Sequence, residues 1–407
     1  DLVVLKLINL HIMIKKHAIL YISYDGMLEP LGQSQVIPYL GMLSKKYKIF
    51  LISFEKKLNV DQKKNLEQVQ LLLDQHKISW NPLSYHGAPK LLSTAYDILS
   101  GLITAVKLSK RHDIKIIHTR SYVACIAAYL LKKILKIKYI FDIRGFWVDE
   151  KVEANSLRED SRLFRILKSI EKVLFKDADA IVTLTNASIP AIENILPSIQ
   201  KQKIIVIPTC VDLDKFTLPT IRDFSDKDKL VIGYVGSVGG MYDFKKVIQA
   251  VCYIQSLGKN VEFVVITMSN HLDVNEEIKK SKSKILNYKV FSSNYEDIPK
   301  YLNQMHFGIY FYNRKNSRTA CAPTRLAEFL ACGVPVIVNP GIGDQDDILS
   351  NSGNPVGASI STFKDIDKAL DLVRLNNIQQ RCRSVAVAKF SLSQGVSKYS
   401  ELYHSLL

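Results

Sequence analysis

The feature that most constrains this chain is a repeated alternation of short apolar runs with segments of helical spacing. Near-continuous Val/Ile/Leu runs such as "HAILYISYD" and "YKIFLISFE" are each followed by a helix-like stretch, and the order recurs along the sequence. Strands that are apolar at every position are buried on both faces, as in parallel sheets covered by helices. The pattern therefore predicts an α/β fold built from doubly wound parallel sheets.

The alternation divides the chain into two parts. It stops at a polar, proline-containing segment and restarts at "LVIGYVGSVGG", and 407 residues suffice for two or three domains. We expect an N-terminal Rossmann-like domain at 18–210, a linker at 211–228 and a C-terminal Rossmann-like domain at 229–388. Residues 389–407 are expected to form a helix that packs back on the N-terminal domain. Residues 1–17 are interpreted as an extension and the lead-in to the first strand.

Composition excludes several classes of protein. Hydrophobic residues make up 47% of the chain and charged residues 23%, which is ordinary for a folded protein and excludes a disordered or fibrous one. The six cysteines lie far apart without a CxxC pair, so we expect reduced thiols in a cytoplasmic protein. The first apolar run is interrupted by Lys6 and His11, which leaves it too short to span a membrane.

The positive charge is concentrated in the first half. The formal net charge is +16, and residues 1–210 carry 31 basic against 19 acidic side chains. A one-sided basic surface suits an anionic membrane, a polyanion or phosphate-bearing substrates. A lysine-rich face that is simply solvated is the alternative. We see no recognised nucleic-acid-binding module and expect no nucleic-acid partner.

A glycine-containing loop follows the first strand of the second part. In "LVIGYVGSVGG" the strand runs into Gly236, Ser237 and Gly239. Glycines let the backbone turn sharply and bring N–H groups close to a phosphate. The alternative is a strand-to-helix turn that uses glycine only for its geometry.

A second candidate phosphate site lies in "APTRLAEFLACGVPVIVNPG". We expect Pro323 at the first helical position and Ala322 as a cap that has no side-chain acceptor. Thr324, Arg325 and Glu328 would then share one helix face. Free N–H groups and Arg325 would hold a phosphate, and Glu328 would accept hydrogen bonds from two sugar hydroxyls. The alternative is an Arg325–Glu328 surface pair on an ordinary helix.

These segments, in this order, resemble the retaining GT-B-fold glycosyltransferases of family four, which build bacterial surface polysaccharides. The resemblance rests on "ILYISYDGMLEPLGQSQVIPYLGMLSK", "IVTLTNAS", "VIPTCVDLDKF", "IGYVGSV", "APTRLAEFLACGVPVIVN" and the closing "SKYSELYHSLL". It covers nearly the whole chain from about residue 18. It implies a GT-B fold, in which two Rossmann-like domains face each other across a cleft.

The resemblance also implies a donor site for a UDP- or GDP-sugar. Glu328 matches the family's ribose-contacting glutamate, and the loop from Gly236 to Gly239 matches the segment that lies against the diphosphate. Gly32, in the first-domain loop, would approach the donor from the other side of the cleft. The donor-binding residues implied in this way, together with those inferred from the sequence, are Gly32, Gly236, Ser237, Gly239, Arg318, Thr324, Arg325 and Glu328.

The segment "FDIRGFWVDE" matches the family region that faces donor and acceptor. Asp142 and Arg144 are therefore the catalytic candidates, and Asp25 and Glu150 are expected on the acceptor side. A structural salt bridge at a strand end is the alternative for Asp142 and Arg144.

The sequence departs from the family pattern at three positions. The first of two glutamates falls on Ala320, and the usual arginine and lysine after the strand fall on Ser237 and Tyr242. The residues left to neutralise the diphosphate are Arg325 and, as further candidates, Arg314 and Arg318.

The resemblance implies transfer of a sugar, with retention and without a metal or other cofactor, to a lipid-linked or polysaccharide acceptor. Lys132, Lys133 and Lys136 would place a helix against the anionic inner face of the membrane; a core helix with solvated lysines is the alternative. Two further interpretations stay open. One is a sugar-nucleotide epimerase with the same fold, and the other is a non-catalytic membrane or assembly partner.

Overall fold

The computed structural model describes residues 16–56, 60–219, 229–280, 285, 287–372, 375 and 377–407. The predicted N-terminal extension up to residue 15 and the second half of the predicted linker, residues 220–228, lie outside the described residues.

Two parallel sheets form the framework. The strands of the first sheet are β1 (Ala18–Ser23), β2 (Lys48–Glu55), β3 (Ser79–Ser84), β4 (Ile114–Arg120), β5 (Lys138–Asp142), β6 (Ala180–Thr183) and β7 (Ile204–Val206). Their order is β3-β2-β1-β4-β5-β6-β7. The strands of the second sheet are β8 (Lys229–Val235), β9 (Asn260–Ile266), β10 (Tyr288–Phe291), β11 (Phe307–Ile309), β12 (Val336–Val338) and β13 (Gly357–Ser359). Their order is β10-β9-β8-β11-β12-β13. The predicted pair of doubly wound parallel sheets is confirmed.

Helices connect the strands. Those up to β7 are α1 (Pro30–Gln35), α2 (Ile37–Leu43), α3 (Val60–Gln75), α4 (Lys90–His112), α5 (Ser121–Leu135), α6 (Trp147–Glu153), α7 (Arg162–Asp177) and α8 (Ile189–Ile195). Those after β8 are α9 (Phe244–Ser256), α10 (His271–Lys279), α11 (Ile298–Leu302), α12 (Thr324–Ala331), α13 (Gln345–Ser350), α14 (Ile366–Leu370), α15 (Ile378–Phe390) and α16 (Leu392–Leu406). Several begin at a side-chain cap; for example, Asp243 accepts a hydrogen bond from the Lys246 amide.

In both sheets the strand order reverses direction beside a central strand. The reversal lies between β1 and β4 in the first sheet and between β8 and β11 in the second. Ligands of open α/β sheets collect outside the carboxyl ends of strands at such points. The residues that follow β1, β4, β8 and β11 are therefore where a site is expected.

By its contacts the chain divides into two units, Asp1–Phe141 with Ser400–Leu407, and Asp142–Tyr399. In the first unit the end of α16 is held by hydrogen bonds. The Tyr47 hydroxyl donates to the Ser400 carbonyl at 3.0 Å, and the Tyr403 hydroxyl lies 2.6 Å from His118 Nδ1. In the second unit the six-stranded sheet and its helices enclose a continuous apolar core that includes Phe263, Phe307 and Phe329.

Candidate donor-binding site

The helix that carries the predicted donor residues begins one residue later than expected. Pro323 is the residue before α12, with φ −64° and ψ 120°, and it makes no side-chain cap hydrogen bond. The expected assignment of Pro323 to the first helical position and Ala322 to the cap is therefore wrong. The extended ψ of Pro323 keeps it out of the helix. The absence of a capping side chain, which motivated the prediction, is observed.

Arg325 and Glu328 do not form a surface pair, because both side chains are buried, with only 7% and 6% exposed. The Arg325 guanidinium is enclosed by phenol rings. Its Cζ lies 4.2 Å from the ring centroid of Tyr242, 5.1 Å from that of Tyr234 and 5.3 Å from that of Tyr310. Such cation–π contacts hold a desolvated guanidinium in place.

The same guanidinium lies directly behind the glycine loop. A Cβ added to Gly236 would overlap Arg325 Nη2 and would lie 2.9 Å from its Cζ. Gly236 also has a φ of +119°, and its amide donates to the Ile266 carbonyl at 3.0 Å. Glycine is therefore needed here both for its backbone angle and for the close approach of Arg325.

The other side of the loop is open. Ser237 and Gly239 are exposed, and a Cβ added to Gly239 would meet no atom within 4 Å. The Tyr234 hydroxyl donates to the Ser237 carbonyl at 2.5 Å, and Ser269 Oγ accepts from the Val238 amide at 3.0 Å. The loop is thus fixed from behind and presents backbone to solvent in front.

One nitrogen of the buried guanidinium, Arg325 Nη1, has no hydrogen-bond partner among the residues that the structure describes. A buried donor without an acceptor carries a desolvation cost that a ligand or a water molecule removes. Since a guanidinium stays protonated, the group suited to Nη1 is an anionic oxygen.

Glu328 lies against a different set of residues. It shares a hydrogen bond with the Tyr295 hydroxyl. Burial raises the pKa of the Glu328 carboxyl to about 7, whereas this hydrogen bond and the charges of Arg325 and Lys215 act in the opposite direction. Lys215 Nζ lies 4.0 Å from the ring centroid of Tyr295 and 2.6 Å from Glu296 Oε1. A near-neutral carboxyl can both donate to and accept from sugar hydroxyls.

The helix start and these two side chains occupy different surroundings. A cavity of about 580 Å³ is lined by Ala322 and Pro323 together with Asp344 and Lys398, but not by Gly236, Arg325 or Glu328. Among the described residues this cavity contains the helix start but neither charged side chain, and the single phosphate site stays a prediction. N–H groups at a helix start point along the axis, whereas the side chains of the first turn radiate away from it.

Arg318 is buried and already paired. Its Nη1 donates to Ser317 Oγ at 3.0 Å, and its Nη2 lies 3.7 Å from Glu153 Oε2. Ser317 also donates to Glu153 from its amide and its hydroxyl, at 3.0 and 2.5 Å. Arg314 is exposed, and Ala320, at the place of the first family glutamate, is fully buried. Arg325 is thus the cation that lies against the glycine loop.

The expected catalytic pair is brought together at the carboxyl end of β5. Arg144 Nη1 lies 3.6 Å from Asp142 Oδ2, and the Tyr399 hydroxyl donates to the same oxygen at 2.9 Å. Arg144 has a φ of +57°, a backbone angle that residues other than glycine rarely adopt. Such angles recur at functional sites. This geometry fits both the structural salt bridge and a catalytic role, which stays a prediction.

Glu150 is close to the same turn. A Cβ at Gly145 would lie 2.5 Å from Glu150 Oε1, so the carboxyl packs over this glycine. Burial raises the pKa of Glu150, and the nearby Arg318 charge acts in the opposite direction. The structure therefore surrounds this acceptor-side candidate with the residues Gly145 and Arg318 of its own unit.

The two site candidates in the first unit, Gly32 and Asp25, each have a structural role within that unit. A Cβ at Gly32 would overlap the Gly26 carbonyl and the Met27 Cα, so glycine permits α1 to pack on this loop. Asp25 Oδ2 accepts from Arg120 Nε at 2.9 Å, and Arg120 is only 4% exposed. This ion pair joins the carboxyl ends of β1 and β4, where the strand order reverses.

The predicted basic face lies at the end of α5. Lys133 and Lys136 are exposed and Lys132 is half-buried. Lys132 and Lys133 lie 5.3 and 5.1 Å from the ring centroids of Tyr139 and Tyr129.

Sequence reasoning missed the residues that define the surroundings of Arg325 and Glu328. Tyr295 and Tyr310 lie outside the segments quoted above, while Tyr234 and Lys215 lie within "IGYVGSV" and "VIPTCVDLDKF" but received no role there. All six cysteines are free, and among the described residues no three His, Cys, Asp or Glu side chains group to hold a metal.

Two doubly wound parallel sheets, with a glycine loop after the first strand of the second sheet, define the GT-B architecture. Residues 74–215 match the family described as Glycosyltransferase Family 4, and residues 247–400 match the Glucosyltransferase 3-like, C-terminal domain. Each half of the chain thus contains a segment that is similar to a glycosyltransferase family. No curated protein sequence matches it.

Solved structures agree on the fold. A glycosyltransferase from Rickettsia africae ESF-5 is 17% identical with a TM-score of 0.69 and covers 96% of this chain and 99% of its own. Anabaena HepE, which was solved with UDP and glucose, is 13% identical with a TM-score of 0.67. The match covers 95% of this chain and 99% of HepE. WaaG, a glycosyltransferase involved in lipopolysaccharide biosynthesis, is 11% identical with a TM-score of 0.62 and covers 94% and 99%.

Proposed function

We propose that this protein transfers a sugar from a nucleotide-diphosphate sugar to a lipid-linked or polysaccharide acceptor, with retention and without a metal. The observation that carries the proposal is the buried Arg325 guanidinium behind Gly236, whose Nη1 lacks a partner among the described residues. A fixed cation beside a glycine loop suits a diphosphate leaving group, whose developing charge it stabilises. Glu328 supplies a carboxyl for the ribose hydroxyls.

The relatives support the donor and the pathway class. HepE was solved with UDP and glucose, and WaaG takes part in lipopolysaccharide biosynthesis. We extend both properties to this chain as a proposal: a UDP- or GDP-sugar as the donor, and cell-surface polysaccharide biosynthesis as the setting. Within it, Asp142 and Arg144 are proposed as groups that contact the reacting sugar.

The donor assignment is tested by thermal unfolding with UDP, GDP, UDP-glucose and GDP-mannose. A ligand that binds only the folded chain stabilises it by about 2.7 kcal/mol at a hundred times its Kd. Arg325→Ala should weaken the stabilisation and Glu328→Ala should abolish it. Arg165→Ala, which removes an exposed arginine of α7 with no proposed binding role, is the matched control and should leave the midpoint shift unchanged.

Three results would contradict this proposal or change it. Unchanged midpoint shifts in the Arg325 and Glu328 variants would refute the site. No shift with any nucleotide would favour a non-catalytic protein. Isomerisation of the sugar nucleotide in the absence of any acceptor would favour the epimerase, since transfer requires an acceptor.

We further propose that the first unit rests on an anionic membrane from the cytoplasmic side, with α4 as the contact element. Among the described residues, one helix segment, Leu91–His112, is long and apolar enough to cross a membrane. The face of this helix that carries Ser93, Asp97 and Ala105 is buried, which suits a helix that lies along a surface. The exposed apolar side chains are Leu91, Leu92, Tyr96, Leu99 and Ile103, followed by exposed Lys107, Lys110 and Arg111.

Flotation with liposomes tests the membrane proposal. Wild-type protein should float with anionic but not with neutral vesicles at low salt, because each basic residue near an anionic surface contributes about 1 kcal/mol. Leu99→Ser should reduce flotation. Leu71→Ser, at a 61% exposed leucine of α3, is the control and should not. Equal lack of binding to both kinds of vesicle would end the membrane idea.

A further inference from the structure

A polar cluster in the first unit, on the proposed membrane-contact helix α4, contains none of the donor-binding residues described above. Asp97, on α4, is fully buried, and its Oδ1 lies 2.6 Å from His86 Nδ1. Its Oδ2 accepts from the Tyr24 hydroxyl at 2.9 Å and from the His86 amide at 3.2 Å. Burial and the adjacent Asp97 carboxylate raise the pKa of Tyr24, so its hydroxyl keeps the proton that it donates.

These contacts fix the orientation of the His86 ring. Because Nδ1 faces a buried carboxylate, the neutral imidazole carries its proton on Nδ1, and in this form Nε2 has an acceptor lone pair. The His86 side chain is 44% exposed, and its Nε2 makes no hydrogen bond within the part of the chain that the structure describes. Asp97 thus holds an imidazole with an available acceptor at the protein surface.

One member of the cluster, Tyr24, also lies where the strand order predicts a ligand site. Tyr24 directly follows β1, and His86 follows β3 by two residues, so both stand at the carboxyl ends of parallel strands. Ligands of open α/β sheets collect outside such ends where the strand order reverses, which applies to Tyr24 after β1, whereas β3 is the edge strand of its sheet. His86 is not part of any segment that the sequence analysis singled out, whereas Tyr24 lies in the quoted segment that begins "ILYISYD".

The surroundings of His86 are aromatic on one side and aliphatic beyond. Its ring makes an edge contact with Tyr96, at 5.0 Å between centroids, and Tyr96 is 59% exposed. Leu92 and Leu99 stand four residues before and three after Tyr96, on the same face of α4, and both are exposed. A hydrogen-bond acceptor, an aromatic ring and an apolar track therefore follow one another along this surface.

We propose that His86, oriented by Asp97, binds a hydroxyl of the acceptor sugar, and that the apolar face of α4 receives the hydrocarbon chain to which that sugar is attached. The acceptor is then an amphipathic glycolipid rather than a free polysaccharide. This inference rests on the proposed function, because it assigns the acceptor of the same reaction. His86 acts here by accepting a hydrogen bond from the hydroxyl.

The test uses the full-length protein and three probes of known chemistry: octyl β-D-glucoside, methyl β-D-glucoside and octyl polyoxyethylene. Binding is measured by ligand-observed saturation-transfer NMR below the micelle concentration. The wild type should bind octyl glucoside more tightly than either of the other probes, since only this probe carries both the hydroxyls and the chain.

His86→Asn is the central variant. The amide nitrogen of asparagine can replace Nδ1 in the contact with Asp97, so the local structure is kept while the Nε2 acceptor is lost. We expect octyl glucoside binding to weaken about tenfold with an unchanged unfolding midpoint. His404→Ala, at an exposed histidine of α16, is the control and should bind as the wild type does. Leu99→Ser should weaken binding of octyl glucoside but not of methyl glucoside.

The inference is overturned if His86→Asn binds octyl glucoside as tightly as the wild type, or if octyl polyoxyethylene binds as tightly as the glucoside. Nucleotide-induced stabilisation is measured on the same variants and should be unaffected in His86→Asn. If the wild type does not bind nucleotides, the proposed function is refuted and only a glycolipid-binding site remains. An unaffected His86 variant in a nucleotide-binding protein would remove only the acceptor assignment.

Discussion

Replacing Gly236 by alanine tests directly how the glycine loop and Arg325 are related. Glycine at a φ of +119° avoids a backbone cost of about 1–2 kcal/mol for any other residue. The added methyl group would also overlap the guanidinium, with Cζ only 2.9 Å away. Expelling Arg325 from its phenol surroundings forfeits about 2 kcal/mol more. We therefore expect Gly236→Ala to destabilise the protein by about 3–4 kcal/mol.

Gly239→Ala is the matched control in the same loop. Its φ is +86°, and a Cβ there would meet no atom within 4 Å, so only the backbone cost remains. The difference of about 2 kcal/mol between the two variants corresponds to about 4–8 °C in the unfolding midpoint for a unit of this size. Thermal unfolding followed by circular dichroism measures it.

A double-mutant cycle separates the collision from other effects of Gly236→Ala. In an Arg325→Ala background the guanidinium is absent, so Gly236→Ala should cost no more than Gly239→Ala. If Gly236→Ala destabilises both backgrounds equally, Arg325 does not lie behind the loop as described, and the reasoning for the donor site fails.

Two further predictions concern Glu328 and Tyr242. The pKa of Glu328 is raised from 4.5 to about 7, chiefly by burial, so its protonated form stabilises the folded state; this contribution is complete below pH 4.5 and is lost as the pH rises through 7. The wild type should lose up to about 3 kcal/mol of stability over this range relative to Glu328→Gln in urea unfolding, and parallel pH profiles would contradict the assignment. Tyr242→Phe should preserve nucleotide-induced stabilisation, because the ring facing Arg325 is kept, whereas Tyr242→Ala should reduce it. Equal losses in the two Tyr242 variants would show that the hydroxyl and not the ring matters.

Most of the fold follows from the sequence because its strands are apolar throughout. All six residues of β1 are buried, and such runs can be recognised without knowledge of their neighbours. The prediction missed β3 and β13. The strand β3, "SWNPLS", lies at the sheet edge and contains Pro82, and each of its residues is exposed or half-buried. The strand β13 has only three residues. Edge strands that admit proline lack the periodicity on which the prediction relies.

The site could be predicted only in part. Arg325 and Glu328 stood out as charges in an otherwise apolar helix, and the structure places Arg325 against the predicted glycine loop. Their burial was not predicted, because the tyrosines around them belong to β8 and to separate segments far along the chain. Residue spacing reports which side chains share a helix face, but it does not report which distant segments pack against that face.

The departures from the family pattern and the position of Arg325 have one explanation. The family's lysine position is occupied by Tyr242, whose ring centroid lies 4.2 Å from the Arg325 guanidinium. An ammonium in place of that ring would repel the guanidinium by about 4 kcal/mol at 4 Å and an effective dielectric constant of 20. A guanidinium in this enclosure and a lysine at position 242 therefore exclude each other. The phenol that replaces the lysine supplies the ring face that a desolvated guanidinium prefers. In this chain a positive charge beside the glycine loop comes from α12, and the Tyr242 ring packs against it.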